Sequence, residues 1–332
     1  MLDKKIQKKL ESSSQVPTIP HVITQVLNAV EDENLSALAL ASIIEQDQSL
    51  TMRVLTVANS PIYGFSRRIS TIDLAIVVMG LKTIKEIVLS LAIQRFFARV
   101  RKDLFDTRDF WQYSVFCGAA SRAIARRFNY KLAGEAFVAG LIHDIGILIL
   151  IQYFPKEFEQ IRSLQSTQQL SFIDAEKKII NCTHADIGAW LVRKWKLPEN
   201  MENAVLLHHI EYSEAREILS QIKIEREQEL QNQENIRISY GGTEDIKIDE
   251  NIDEPLTVIV ALSEWFAQYM GFKSWSLEMQ SRSPLFMAEE IVTELQEDDI
   301  LSPEGVLQVL RQEILDEYNK ANILTDLTVK PK

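Results

Sequence analysis

The apolar run at residues 136–154 contains a histidine and an aspartate side by side, His143 and Asp144, in the stretch AGLIHDIGIL. Burying either side chain without a partner costs roughly 2 kcal/mol or more. A fold that accepts this run must bring other polar groups to the same place from distant parts of the chain. The run also carries Gln152 and reads as a buried core element rather than a membrane span.

Helical signals surround it. Ile23, Val26, Leu27 and Val30 recur at helical spacing after Pro17 and Pro20. Ser36 and Asp47 are placed to cap helices, the first running through Glu45 and the second burying Leu50, Val54, Leu55 and Ala58. Asn59-Ser60-Pro61-Ile62-Tyr63-Gly64 breaks the pattern. Ser70-Thr71-Ile72-Asp73 resembles a capping box and opens a helix to about Met79, and after Gly80 another runs from Leu81 to about Phe97. The spacing predicts further helices at 110–128, 134–143, 172–180, 184–195, 199–207, 255–270 and 306–318, with one more starting near Gly146 and a charged one at 218–230. With hardly any strand pattern, the chain is expected to be all-α. A helical subdomain at 14–100 would pack on a helical half at 101–320, between a polar tail at 1–13 and a C-terminal tail at 321–332.

The formal net charge of −11 is unevenly placed, since residues 211–254 hold 13 acidic and 5 basic side chains. The stretch 232–255 has few large apolar anchors to offset the entropy of ordering, so it is expected to be a mobile acidic loop. The acidity therefore says little about partners of the folded part. The two cysteines, Cys117 and Cys182, form no CxxC and fit a reducing cytosol without structural disulfides or a cysteine zinc site. The N-terminus lacks the apolar core of a signal peptide.

Of the five histidines, His21 falls in the first helix and the other four in the second half, in the contexts HDIG, THADIG and HHIE. Imidazole and carboxylate suit divalent iron, manganese and zinc. Any one of these histidines alone is more readily a satisfied core or surface residue; the clustering of four is what points to a metal site.

HDIG, then THADIG, then KLPENMENAVLLHH and LSEWFA resemble the HD superfamily of metal-dependent phosphohydrolases. VPTIPHVITQVL followed by IIEQDQSLTMRVLTVANSPIYGFSRRISTIDLAIVVMGLKTIKEIVL resembles the HDOD domain, the HD-related output domain of bacterial signalling proteins. The resemblance is close over 16–209 and looser to about 318. It implies an HD-type helical bundle in which His143, Asp144, His184, His208, His209 and Glu264 converge as metal ligands, with Asp109 and Tyr113 as additional candidates and Asp144 the residue nearest to catalysis. Iron, manganese and zinc are the candidate ions.

Two departures from the family pattern bear on activity. Tyr113 stands where the first family histidine is expected, and a phenol of pKa about 10 is a poor ligand except for a strongly Lewis-acidic ion such as ferric iron. Ile147 stands where active relatives often carry lysine, so a phosphate-facing cation is missing. The resemblance thus implies a cytoplasmic signalling output module, acting in trans on a partner protein or binding a small ligand without efficient catalysis. The alternative is a metal-dependent phosphohydrolase of a nucleotide or cyclic dinucleotide.

Other features invite blander readings. Arg53, Arg67, Arg68, Lys82 and Lys85 are expected to be a solvated helix face rather than a nucleic-acid patch. Tyr63 and Phe65 are expected to plug the interface between the halves, and Trp190 and Trp195 to belong to the core. Ser60 has no acid or base beside it and is no nucleophile.

Overall fold

A computed structural model of the chain describes residues 2–12, 36–60, 68–97, 107–128, 130–209, 254–272 and 303–326, with single positions 25, 63 and 65. Among these the regular structure is entirely α-helical. Expectations for 16–30, for the charged helix at 218–230 and for most of the loop at 232–255 fall outside the described residues; the last two positions of that expected loop, Glu254 and Pro255, open a helix instead.

The N-terminal half holds α1 (Lys4–Ser12), α2 (Ala37–Glu45), α3 (Gln48–Ala58), α4 (Ile72–Met79) and α5 (Leu81–Phe97). Local chemistry sets several of their ends. Ser36, Asp47 and Thr71 each accept a hydrogen bond from a backbone N–H in the first turn of α2, α3 and α4, which satisfies a donor the helix itself leaves unpaired. Gly80 closes α4 with φ +84°, a conformation that favours glycine. Helix α1 occupies the segment expected to be a polar tail: Ile6 and Leu10 bury one face, and the Lys9 ammonium lies 4.2 Å from the centre of the Phe154 ring.

The second half holds α6 (Thr107–Arg127), α7 (Ala133–Ile142), α8 (Ile145–Tyr153), α9 (Pro155–Gln168), α10 (Phe172–Ile180), α11 (His184–Lys194), α12 (Glu199–Leu207), α13 (Glu254–Tyr269) and α14 (Pro303–Asp326). The last helix runs to Asp326, into the expected C-terminal tail. The opening apolar run becomes α7 and α8, split at His143-Asp144. The segment Ala133–Tyr153 is long and apolar enough to cross a membrane, but 94% of its apolar window is buried inside the fold.

Helix α6 is the axis of this half, with α7, α13 and α14 packed around it. Helix α11 lies on α8 and α12, and α12 lies on α13. Helices α2 to α5 pack on one another and meet the second half where α5 touches α7 and α14, while α1 lies against the second half through Lys9, near Phe154 and Glu157. One continuous apolar core runs through both halves.

At that junction Arg122 of α6 binds Glu86 of α5 at 2.8 Å and Glu317 of α14 at 3.0 Å, with its guanidinium 4.1 Å from the centre of the Phe137 ring. Tyr63 packs on the core beside this network, where burial, opposed by Arg122, pushes its phenol up to about 12. Phe65 stacks on Tyr63 but stays 37% exposed, so only Tyr63 fills the expected interface position. Of the basic residues around this turn, Lys85 is buried while Arg68 and Lys82 are exposed. Trp195 is buried and Trp190 half-buried against the core.

Candidate metal centre

The side chains at the centre come from helix ends. His143 and Asp144 form the joint between α7 and α8, His208 caps the C-terminus of α12 with His209 next, and His184 opens α11. Only Glu264, on α13, and Tyr113, on α6, project from helix interiors. A capping box fixes the start of α11: Thr183 accepts from the Asp186 N–H, and the Asp186 carboxylate accepts from the Thr183 N–H.

Glycine lets these ends meet. A Cβ on Gly146 would lie 1.9 Å from the His184 carbonyl oxygen and 2.9 Å from the Gly188 nitrogen. A Cβ on Gly188 would lie 2.8 Å from Val205 Cγ1. The glycines of the two Asp-Ile-Gly triplets, 144–146 and 186–188, thus interlock α8 with α11 and set Asp144 against His184.

His143, Asp144, His184, His208, His209 and Glu264 all meet in one buried cluster. Asp144 Oδ2 is 3.4 Å from His143 Nε2, while Asp144 Oδ1 is 3.2 Å from His184 Nε2 and 3.4 Å from His208 Nε2. Glu264 lies 3.6 Å from both His143 Nε2 and His209 Nδ1, through Oε1 and Oε2 respectively. Two overlapping sets of donors result, Asp144–His184–His208–His209 and His143–Asp144–His208–Glu264, each with ligand atoms within 4.8 Å of one another. Tyr113, fully buried, donates from its hydroxyl to Glu264 Oε1 at 2.9 Å. Asp109 lies one turn earlier on α6, is exposed, and belongs to neither set.

The outer bonds turn the donors inward. His143 Nδ1 bonds the Gly140 carbonyl and His208 Nδ1 the Val205 carbonyl, each at 2.7 Å, which leaves each Nε2 facing the cluster. Glu176, which sequence reasoning missed, bonds His184 twice, at the backbone N–H (3.0 Å) and at Nδ1 (2.8 Å). Its signal was an acidic residue on the apolar face of α10, among Phe172, Ala175 and Ile180.

The inward atoms fit a cation. His143 Nε2, both Asp144 oxygens and His208 Nε2 are buried without hydrogen-bond partners, and so is His209 Nδ1, which faces Glu264 Oε2. Unpaired buried polar atoms are costly, and a cation shared among these donors would satisfy them. In the ion-free protein, burial pushes His143 and His184 down. Asp144 with Glu264 around His143, and Glu176 with Asp144 around His184, outweigh it and raise both to about 10. Burial also opposes the charge on Asp144, but the facing imidazoles hold its carboxyl well below the usual range. His209, desolvated beside His208 and His184, is pushed well down. Protons on His143 and His184 must leave before those rings can ligate, so ion binding strengthens as pH rises.

Glu176 gives a direct test. A carboxylate on the far nitrogen of a ligating histidine raises its basicity, and losing it typically costs 10–100-fold in affinity. Glu176→Gln keeps the shape and one acceptor oxygen, enough for one of the two His184 bonds, and removes the charge. Competitive titration is expected to show ion affinity about 10-fold to 100-fold weaker; unchanged affinity would make Glu176 a purely structural partner of α11.

The model of the HDOD domain family matches residues 16–211 of this chain. An uncharacterised curated protein of Treponema pallidum (strain Nichols) is 23% identical over 196 residues, 58% of this chain and 37% of that protein; the chain therefore matches well under half the length of that relative. Among solved structures, an HDOD domain protein of unknown function from Geobacter sulfurreducens superposes with a TM-score of 0.72 at 20% identity, covering 96% of each chain. A candidate phosphohydrolase from Shewanella amazonensis SB2B gives 0.66 at 19% identity, covering 97% of this chain and 98% of that one. At these identities the two structures share the fold.

Proposed function

The chain belongs to the HDOD domain family, and from that premise we propose that it is a signal-transduction output module that engages a partner protein or small ligand and uses its metal centre as a structural or regulatory element rather than for efficient hydrolysis. The observation that carries this reading is the closure of the donor set. His143, Asp144, His184, His208 and Glu264 are at most 1% exposed, and the His209 side chain is 12% exposed. A bound divalent ion supplies Lewis acidity and, given an open position, an acidified water. The residues around this centre supply little of what phosphoryl transfer needs beside it. Ile147, fully buried one turn after His143, offers no charge to a developing anion, and Tyr113 directs its hydroxyl to Glu264 rather than outward. What the side chains do is fix helix ends: an ion held by these residues ties α7, α8, α11, α12 and α13 to one point.

The alternative, a metal-dependent phosphohydrolase of a nucleotide or cyclic dinucleotide, draws on one specific observation, the two overlapping four-residue donor sets bridged by Asp144. Purified wild type and Tyr113→His, each loaded with manganese or iron, separate the readings on a panel of nucleotides and cyclic dinucleotides. The module reading expects Tyr113→His to raise metal content more than product release, because Ile147 still supplies no cation. Product release by the variant that rises in step with its metal content would favour the phosphohydrolase.

A further inference from the structure

The six donors do not form two equal halves. The geometry points to a single ion seated among Asp144 Oδ1, His184, His208 and His209, with the neighbouring position, bounded by His143, Asp144 Oδ2 and Glu264, closed by the Tyr113 hydroxyl. This inference rests on the metal-centre part of the function proposed above and adds which position is used and how many ions enter.

Three contacts favour the first position. Asp144 divides its oxygens, Oδ1 toward His184 and His208 and Oδ2 toward His143. His209 Nε2 and His184 Nε2 share a hydrogen bond at 2.8 Å, which is also about the separation of two ring nitrogens at right angles on one ion with bonds of ~2.0–2.1 Å, so an ion can replace the shared proton with little movement. His184 is also backed by a carboxylate, Glu176 at 2.8 Å, whereas His143 and His208 are backed only by neutral carbonyls. A carboxylate behind the ring makes its inner nitrogen the better donor.

The second position is poorer on each count. His208 lies within reach of both sets but has one uncommitted ring nitrogen, so it serves one ion at a time. The Glu264 oxygen that faces His143, Oε1, is the one that accepts the Tyr113 hydroxyl. Tyr113 packs its ring 5.7 Å from that of His143 and is 1% exposed, so no water relieves the hydroxyl of its bond to Glu264.

The test is metal stoichiometry, read without reference to turnover. Protein stripped with a chelator is titrated with Co²⁺ by calorimetry and analysed for bound cobalt after gel filtration. The wild type is expected to take one equivalent. His143→Ala is expected to keep that equivalent, while His184→Ala weakens binding by more than the roughly 100-fold upper range for an outer-shell loss. Tyr113→His, which replaces the hydroxyl donor with a nitrogen ligand, is expected to take two. Circular dichroism checks that each variant is folded; where the alanine variants are not, the stoichiometries of wild type and Tyr113→His decide. Two equivalents in the wild type, or one equivalent that survives His184→Ala and disappears in His143→Ala, would overturn the single-position assignment while leaving a metal centre in place. No uptake by the wild type would overturn the metal centre itself.

Discussion

Gly146→Ala is expected to destabilise the protein by about 3 kcal/mol or more, at or beyond the upper end for overpacking a core. The added methyl would land 1.9 Å from the His184 carbonyl oxygen, and both this neighbour and the Gly188 nitrogen are backbone atoms that no side-chain rotation can move. Restoring an ordinary contact of 3.4 Å requires α8 and α11 to part by about 1.5 Å. That movement separates Asp144, just before Gly146, from His184 at the start of α11, so the variant should also lose bound metal. Denaturant unfolding of the ion-free proteins isolates the packing loss, and metal content of the folded variant reads the displaced ligands. A variant within about 1 kcal/mol of wild type that keeps its metal would show that the crossing relaxes freely.

The second large effect is expected at Arg122. This side chain, 10% exposed, holds Glu86 and Glu317 from two other helices and covers the Phe137 ring. Arg122→Leu removes the cation between two carboxylates. Glu317 retains Arg126 and Lys320, but Glu86 is left in a place where burial already raises its pKa against the pull of Arg122. Breaking one partner of a buried pair typically costs ~3–5 kcal/mol, and a loss near 3 kcal/mol is expected at pH 7. The sign with pH follows from Glu86. In the variant its folded pKa rises further above the unfolded value, so protonation relieves the uncompensated charge, and the deficit should shrink as pH falls toward 5. The double variant Arg122→Leu, Glu86→Gln should recover part of the loss at pH 7. A deficit independent of both pH and Glu86 would assign the effect to lost packing on Phe137 instead.

Both effects depend on contacts between segments distant in sequence, and that limits what the sequence could reveal. Ser36 and Asp47 were legible as caps because each bonds a backbone N–H three residues ahead, whereas the box read at Ser70–Asp73 is displaced by one residue, with Thr71 as the cap. Helix α9 was passed over, although Pro155 at its first turn and the buried Phe158 and Ile161 are helix signals within a largely polar segment. Helix α1 was read as a tail because its lysines outnumber its two buried residues, Ile6 and Leu10. Composition and spacing pointed only to a cluster of histidines, and the family resemblance was needed to add Glu264. Neither offered Glu176, whose bonds to His184 form only when α10 folds back on α11, nor the approach of Gly146 to Gly188, which appears only when two helices cross.

The account turns on a centre that holds an ion without turning over phosphoesters, and one sample measures both halves of that statement. Wild-type protein purified without chelators is analysed for bound metal and, in the same preparation, for product release from nucleotides and cyclic dinucleotides. The expected result is stoichiometric iron, manganese or zinc with no enzymatic release of product. Turnover on the order of 1 per second or faster, abolished by His143→Ala, would contradict it and make the chain a phosphohydrolase.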